Sequence, residues 1–210
     1  MKFESDPLEN KRKSMVKEQI ENRGIEDYRV LEAMKRIPRH AFVPDNLVYR
    51  AYDDEPLPIG EEQTISQPYI VAFMTEALRL SGDEKVLEVG TGSGYQTAVL
   101  AELSELVCTI ELKEALAARA RLILESLGYV NIKFRISDGS LGWPEEAPFD
   151  AIMVTAAARK VPRALEEQLA DGGRMILPVG SDGQELVLGR KKKGRLKYES
   201  ILPVRFVPLL

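Results

Sequence analysis

The side chains whose types and spacing could do chemistry gather around residues 85–101 of this 210-residue chain. Gly90, Gly92 and Gly94 fall at alternate positions directly after the apolar run Val86, Leu87 and Val89. Glycines so placed let the backbone turn tightly and approach a ligand with no Cβ in the way. Two carboxylates flank the turn: Glu88, two residues before Gly90, and Glu111, 21 residues after it, at the end of a second apolar run over 106–110. An acid at the second position suits the hydroxyls of a ribose. The dinucleotide fingerprint G-x-G-x-x-G would hold a pyrophosphate at a helix N-terminus. Here the pattern is G-x-G-x-G, and Tyr95 occupies the place of the third glycine. Glu88 would repel a pyrophosphate and suits a ligand carrying an amine. S-adenosylmethionine meets these demands, with a ribose for Glu111, an amino-acid end near Glu88, and no phosphate.

Such a site needs a rigid frame, and the chain supplies a repeating one. A strand, a glycine turn and a helix over 97–103 form the first unit of an open α/β sheet, whose ligands lie beyond the carboxyl ends of the strands. Further strands are predicted over 106–110, 131–136, 149–154 and 175–179. Helices are predicted over 112–127, ended by Gly128, and over 161–169, with a turn at Gly172 and Gly173. A closing hairpin over 185–190 and 196–207 turns through Lys191, Lys192, Lys193, Gly194 and Arg195. The expected fold class is therefore α/β, a mostly parallel sheet with an antiparallel end. Val154, at the end of the fourth strand, and the small Thr155 and Ala156 just beyond it would lie beside the cofactor and leave room for an acceptor.

Upstream, Met15, Val16, Gln19 and Ile20 predict a helix over 14–23 that Gly24 ends. Asp27 caps a second helix with Val30, Leu31, Met34 and Ile37 on one face and Pro38 after it. A proline-rich, irregular region follows as far as Gly60, and the first ten residues are expected to lack order. Ser66, Gln67 and Pro68 open a third helix, with the Ser66 hydroxyl as its cap. A single domain over 1–210 is expected, with helices and covering loops in 1–80 and the sheet in 81–210.

Composition narrows the function classes. Lysine and arginine against aspartate and glutamate give 29 − 33 = −4, so the chain lacks the basic character that draws a protein onto nucleic acid. One cysteine forms no internal disulfide, and the charged N-terminus reads as neither signal peptide nor membrane span. A cytoplasmic monomer without membrane or nucleic-acid partners is expected. With one histidine, no serine–histidine–acid or metal-ligand pattern stands out, and no metal is expected. His40 reads as a packed or surface histidine, Cys108 as core, and the lysine run 191–193 as a solvated turn.

Several longer stretches carry a resemblance. They are Thr64-Ile-Ser-Gln-Pro68, the strand and glycine turn from Val86 to Ala98, the stretch from Ala147 to Ala157, Gly172-Gly-Arg-Met-Ile-Leu-Pro-Val-Gly180, and Val204-Arg-Phe-Val-Pro-Leu209. In order and in residue type they resemble the protein-L-isoaspartate O-methyltransferase family, a class I S-adenosylmethionine-dependent group with a Rossmann-like core. The resemblance implies methyl transfer to the free α-carboxylate of L-isoaspartyl residues in damaged proteins and peptides. S-adenosylhomocysteine is then the by-product, and the methyl ester collapses to a succinimide. It implies that Gly90, Thr91, Gly92, Ser93 and Gly94 cradle the cofactor, that Glu111 holds its ribose beside Leu112, and that Asp138 and Gly139 lie by the adenine. Ser66 maps onto the family's active-site serine, with Thr64, Ile65 and Gln67 around it on the cofactor side. Where many members have Gly-Asp-Gly, this chain has Ser137-Asp138-Gly139, which implies a somewhat different backbone there. A class I methyltransferase acting on tRNA or a small molecule, and a non-catalytic cofactor-binding protein of the same fold, are the alternatives. An α-carboxyl with an ordinary value near roughly 3.5 is already ionised at pH 7, so the first reading needs no general base.

Overall fold

The computed structural model describes residues 8–209. Part of the expected disorder at the N-terminus, residues 1–7, lies outside them; from Glu9 the chain is helical. Strands β3 (Lys85–Val89), β4 (Leu106–Glu111) and β6 (Phe149–Val154) are apolar on both faces, which suits a parallel sheet covered on both sides. Val86, Val107 and Met153 point into one core layer, and Leu87, Cys108 and Ile152 point into the other. The first layer is closed by α2 (Tyr28–Arg36), α3 (Pro68–Leu78), α4 (Tyr95–Ala101) and α5 (Glu114–Ser126). Leu165 of α6 (Arg163–Gln168) packs into the second.

Seven strands form the sheet in the order β5-β4-β3-β6-β7-β8-β9, where β5 is Ile132–Ile136, β7 Leu169–Val179, β8 Gln184–Lys192 and β9 Arg195–Val204. The pairs from β5 to β7 are parallel, and β7-β8 and β8-β9 are antiparallel, so the expected mixed sheet is present. From β3 the chain moves outward to β4 and β5, then crosses to the other side of β3 to lay down β6. That reversal opens a crevice at the carboxyl ends of β3 and β6, the place where open α/β sheets bind ligands.

Several local expectations are corrected. The first helix begins five residues before the expected start, as α1 (Glu9–Ser14), and continues through a π turn (Met15–Ile20) and a 3-10 turn (Glu21–Arg23) to Gly24. Asp27 does cap α2, accepting from the Arg29 and Val30 amides. The Gly172–Gly173 turn is instead a bulge inside β7, since Phe149 pairs with Leu169 but Ala151 with Arg174. The region before Gly60 is not wholly irregular: β1 (Leu57–Gly60) pairs antiparallel with β2 (Gln63–Ile65). Pro58 hid that hairpin, because a proline inside a run argues against a strand; here it sits in a two-stranded ribbon with Leu57 and Ile59 buried on either side. Ser66 caps nothing: the residue preceding α3 is Gln67, and no side chain bonds its free amides.

Candidate active site

The crevice at the strand ends holds a cavity of about 890 Å3, within the range of roughly 300–1,000 Å3 usual for small-molecule sites. Gly90, Thr91, Gly92 and Ser93 border it after β3, Glu111 and Leu112 after β4, Gly139 after β5, and Thr155 and Ala156 after β6. Thr64, Ile65, Ser66 and Gln67, leading from β2 into α3, form another wall. Of the residues singled out from the sequence, these meet in one place. Glu88, Gly94, Asp138 and Val154 do not border the cavity.

Each of those four has another role. Gly94, with φ +87°, packs against α5, where a Cβ would stand 3.1 Å from Ala120 Cβ and 3.2 Å from Leu124 Cδ1. Asp138 caps the turn after β5, accepting from Ser140 N at 2.8 Å. Its neighbour Ser137 has no left-handed backbone, so glycine is not required there. Val154 is wholly buried in the second core layer. Glu88 lies beneath the turn, fully buried, so the expected contact with a cofactor amine is not available to it.

Glu88 instead joins β3, β4 and α4. Its Oε2 accepts from Thr97 Oγ1 at 2.5 Å and Thr109 Oγ1 at 2.6 Å, and Thr109 Oγ1 lies 2.6 Å from Thr91 Oγ1 in the turn. Burial pushes its carboxyl up to about 8; the two hydroxyls pull it down, and the nearby Glu111 charge pushes it further up. The unfolded chain releases this proton near 4.5, whereas the folded chain keeps it until about 8. Stability therefore falls as pH rises across that window and levels off above it. Glu88→Gln, which stays neutral, is expected to flatten this decline and to melt above the wild type at pH 8. Thermal unfolding from pH 5 to 9 checks this, and parallel curves for the two proteins would contradict it.

The backbone of the glycine turn is already engaged. Gly90 N and Thr91 N donate to Ile110 O at 2.8 and 3.2 Å, and Gly94 N to Thr91 O at 2.8 Å. Gly92 N donates to Glu111 Oε2 at 2.8 Å, and the other carboxylate oxygen accepts from Lys113 N at 2.9 Å. Thr155 Oγ1 sits 2.6 Å from Gly90 O, locking the end of β6 to the turn. The Thr155 hydroxyl thus holds the frame, and Thr155 and Ala156 border the cavity.

Ser66 is half-buried, and among the described residues its hydroxyl has no hydrogen-bond partner. Gln67 is tied back through Asp54, whose backbone and carboxylate oxygens it meets at 3.1 and 2.9 Å. Ile59 of the β1–β2 hairpin reaches within 3.7 Å of a Cβ placed on Gly92, and Arg119 of α5 holds Ile59 O at 2.7 Å. The hairpin is therefore a cover for the turn. Leu112, 45% exposed, offers an apolar edge at the cavity.

Sequence reasoning missed Tyr95, Gln96, Lys113 and the whole segment from Pro203 to Leu209, all of which border the cavity. The C-terminal segment is held beside β6 by Ala157 N→Val207 O at 2.7 Å and Leu209 N→Ala157 O at 2.9 Å. Its only advance signal was the Val204-Arg-Phe-Val-Pro-Leu209 stretch, quoted for its likeness and not for a place in the site. His40 contacts Tyr52 OH at 2.6 Å and does not border the cavity, Cys108 is buried, and no group of metal-binding side chains is found among the described residues.

Comparison with known proteins agrees with this geometry. The family described as "Protein-L-isoaspartate(D-aspartate) O-methyltransferase (PCMT)" matches residues 10–210. Protein-L-isoaspartate O-methyltransferase 1 of Syntrophobacter fumaroxidans is 56% identical over 200 residues, covering 95% of this chain and 94% of its own. Protein-L-isoaspartate O-methyltransferase 2 of Shewanella sediminis is 57% identical over 200 residues, covering 94% and 82%. A solved protein-L-isoaspartate O-methyltransferase superposes with TM-score 0.85 at 32% identity over 95% of this chain, which spans 65% of that protein's length. A Plasmodium falciparum structure described as a putative member, in complex with S-adenosyl-L-homocysteine, superposes with TM-score 0.83 at 27% identity, covering 95% and 98%. With the switch-point cavity, the glycine turn and the matched residues together, this chain belongs to the protein-L-isoaspartate(D-aspartate) O-methyltransferase family.

Proposed function

We propose that this chain transfers the methyl group of S-adenosylmethionine to the free α-carboxylate of L-isoaspartyl residues in damaged proteins and peptides. The methyl ester so formed collapses to a succinimide that reopens in part to normal aspartate. The observation that carries this reading is the chemistry of the cavity wall. Four of the five amides from Gly90 to Gly94 are already donated within the protein, and a carboxylate is hydrogen-bonded to the turn. A pyrophosphate would find few donors and a repelling charge there, whereas a nucleoside without phosphate fits. Among the described residues Glu111 is the only carboxylate bordering the cavity, and no histidine borders it. Both Glu111 oxygens hold backbone amides. With no free general base at the acceptor, a nucleophile that arrives already ionised is favoured over the hydroxyl or amine of an RNA or small molecule.

The protein's own work is then binding and alignment. Glu111 keeps lone pairs beyond its two backbone bonds, and these accept the ribose hydroxyls of the cofactor. Leu112 and Gly139 flank the adenine, with Asp138 shaping the turn that places Gly139, and Gly90 to Ser93 support the methionine end. When bound, the cofactor supplies an electrophilic sulfonium methyl. The Ser66 hydroxyl, unengaged among the described residues, donates to one oxygen of the acceptor carboxylate and leaves the other aimed at the methyl carbon. Thr64, Ile65 and Gln67 keep that loop over the cofactor, and Ala156 leaves space for the peptide. Positioning of this kind is worth on the order of 7–11 kcal/mol in favourable cases. Among the described residues no helix is long and apolar enough to cross a membrane. We place the reaction in the cytoplasm, in a monomer with no nucleic-acid partner, in keeping with the net charge of −4.

The test is methyl transfer from labelled S-adenosylmethionine to two peptides that differ only in carrying L-isoaspartate or L-aspartate. Base-labile ester on the isoaspartyl peptide alone is the expected result. Binding of cofactor with transfer to neither peptide would overturn the reading and turn attention to RNA and small-molecule acceptors. Ser66→Ala is expected to lower kcat about 10- to 100-fold, the weight of a hydrogen bond to a charged group, with cofactor affinity unchanged. Undiminished turnover at saturating peptide would remove Ser66 from the acceptor site.

A further inference from the structure

We propose that Arg205 is a specificity-determining residue that draws the carboxylate of the acceptor into the cavity and lets go once that carboxylate is esterified; this rests on the methyl-transfer reading above. Among the described residues Arg79, Arg159, Arg195 and Arg205 are the arginines whose side chains have neither ion pair nor hydrogen bond, and only Arg205 borders the cavity. It is exposed, just beyond the end of β9, between Val204 and Phe206. Its segment is anchored on both sides, by Phe206 N→Gln184 Oε1 at 2.6 Å and by the Ala157–Val207 bond, so the guanidinium springs from a fixed backbone.

The sheet order places that charge at the acceptor's end. Across the strand ends the cavity runs from Glu111 on β4, through the glycine turn after β3, to Thr155 after β6 and the segment docked beside it. Lys113, the other cation bordering the cavity, follows Glu111 at the opposite, ribose end. Among the described residues no acidic side chain borders the cavity near Arg205, so the guanidinium presents a positive charge where an anionic acceptor must come. The reaction itself removes the attraction. Carboxylate oxygen bonds to the methyl carbon as the carbon–sulfur bond breaks, its electron pair stays on sulfur, and the acceptor's negative charge is gone. A guanidinium that favours the acid over the ester therefore favours substrate over product.

Arg205→Gln and Arg205→Lys test this, with wild type assayed beside them on one isoaspartyl peptide and its methyl ester. Arg205→Gln is expected to raise the peptide KM about two- to fivefold, as suits an exposed pair, with kcat and the dissociation constant of S-adenosylhomocysteine unchanged. Arg205→Lys is expected to restore part of the loss. Raising salt toward 1 M, where screening acts over about 3 Å, should raise the wild-type KM toward that of Arg205→Gln and leave the variant's almost still. Inhibition by the methyl ester should be equal in both. An unchanged peptide KM in Arg205→Gln overturns the proposal, as does a change in cofactor affinity instead, which would give Arg205 to the cofactor's own carboxylate. Failure of the wild type to methylate the isoaspartyl peptide would be a separate result, against the activity itself.

Discussion

Gly90→Ala is expected to weaken S-adenosylhomocysteine binding at least 100-fold and to lower stability by about 2–4 kcal/mol. Two effects add. The residue sits at φ +98°, in the left-handed region, where an L side chain costs about 1–2 kcal/mol. The new Cβ would also collide with Thr155 Oγ1, an atom locked onto Gly90 O at 2.6 Å. Relief requires either that the turn rises into the cofactor's space or that the end of β6 moves away, and both spoil the same cavity. Gly24→Ala serves as the comparison, because its φ is +93° and nothing lies within 4 Å of the added Cβ. It should show the backbone cost alone, with cofactor binding intact. Calorimetric titration and urea unfolding of the two variants measure both quantities. A dissociation constant for Gly90→Ala within threefold of wild type would show that the contact with Thr155 is not needed for the cavity.

Glu111→Ala is expected to raise the cofactor dissociation constant about 100-fold. The carboxylate is 7% exposed and holds Gly92 N and Lys113 N, so its removal frees two backbone amides as well as taking acceptors from the ribose. Hydrogen bonds to a charged group are worth about 1.5–3 kcal/mol, and loss of one or two gives the stated factor. Glu111→Gln keeps one acceptor oxygen and is expected to lose only about tenfold. Titration with S-adenosylhomocysteine distinguishes the roles: equal affinities for wild type and Glu111→Ala would leave Glu111 as a brace for the turn and nothing more. Turnover at saturating cofactor should suffer less than affinity, because Glu111 ends β4 while Ala156 follows β6, on the other side of β3.

Much of the fold was legible because its elements are periodic. The strands β3, β4 and β6 announce themselves as short apolar runs, and the glycines and prolines between them mark where they stop. Boundaries were less legible where a rule of local sequence was overridden. Pro58 argued against the β1–β2 hairpin, yet the hairpin forms because Leu57 and Ile59 bury against the rest of the first core layer. Gly172 and Gly173 argued for a turn, yet β6 pairs with Leu169 before them and with Arg174 after them, and β8 pairs from Arg174 onward, so the strand runs through them as a bulge.

What the sequence determined by itself about this protein is the class of ligand and where the chain turns to meet it. Gly90, Gly92 and Gly94 take positive φ, a conformation that glycine adopts without the Cβ penalty of other residues, and Glu111 reaches the turn from the next strand over. Only the tertiary structure decided which acid faces the cofactor and which groups face the acceptor. Glu88 and Glu111 look alike along the chain, but alternation on β3 sends Glu88 into the core beneath α4, where burial holds its proton. Ser66 had the spacing of a helix cap and instead stands at the cavity wall, with no hydrogen-bond partner among the described residues. Arg205 lies 139 residues from Ser66 in the chain, and borders the same cavity only because β7, β8 and β9 run as a simple meander that returns the C-terminal segment to the exit of β6. Turn chemistry is local, so one strand and its glycines disclose it; a site's second wall is a matter of strand order, which pairing between distant residues sets and no short stretch of sequence contains.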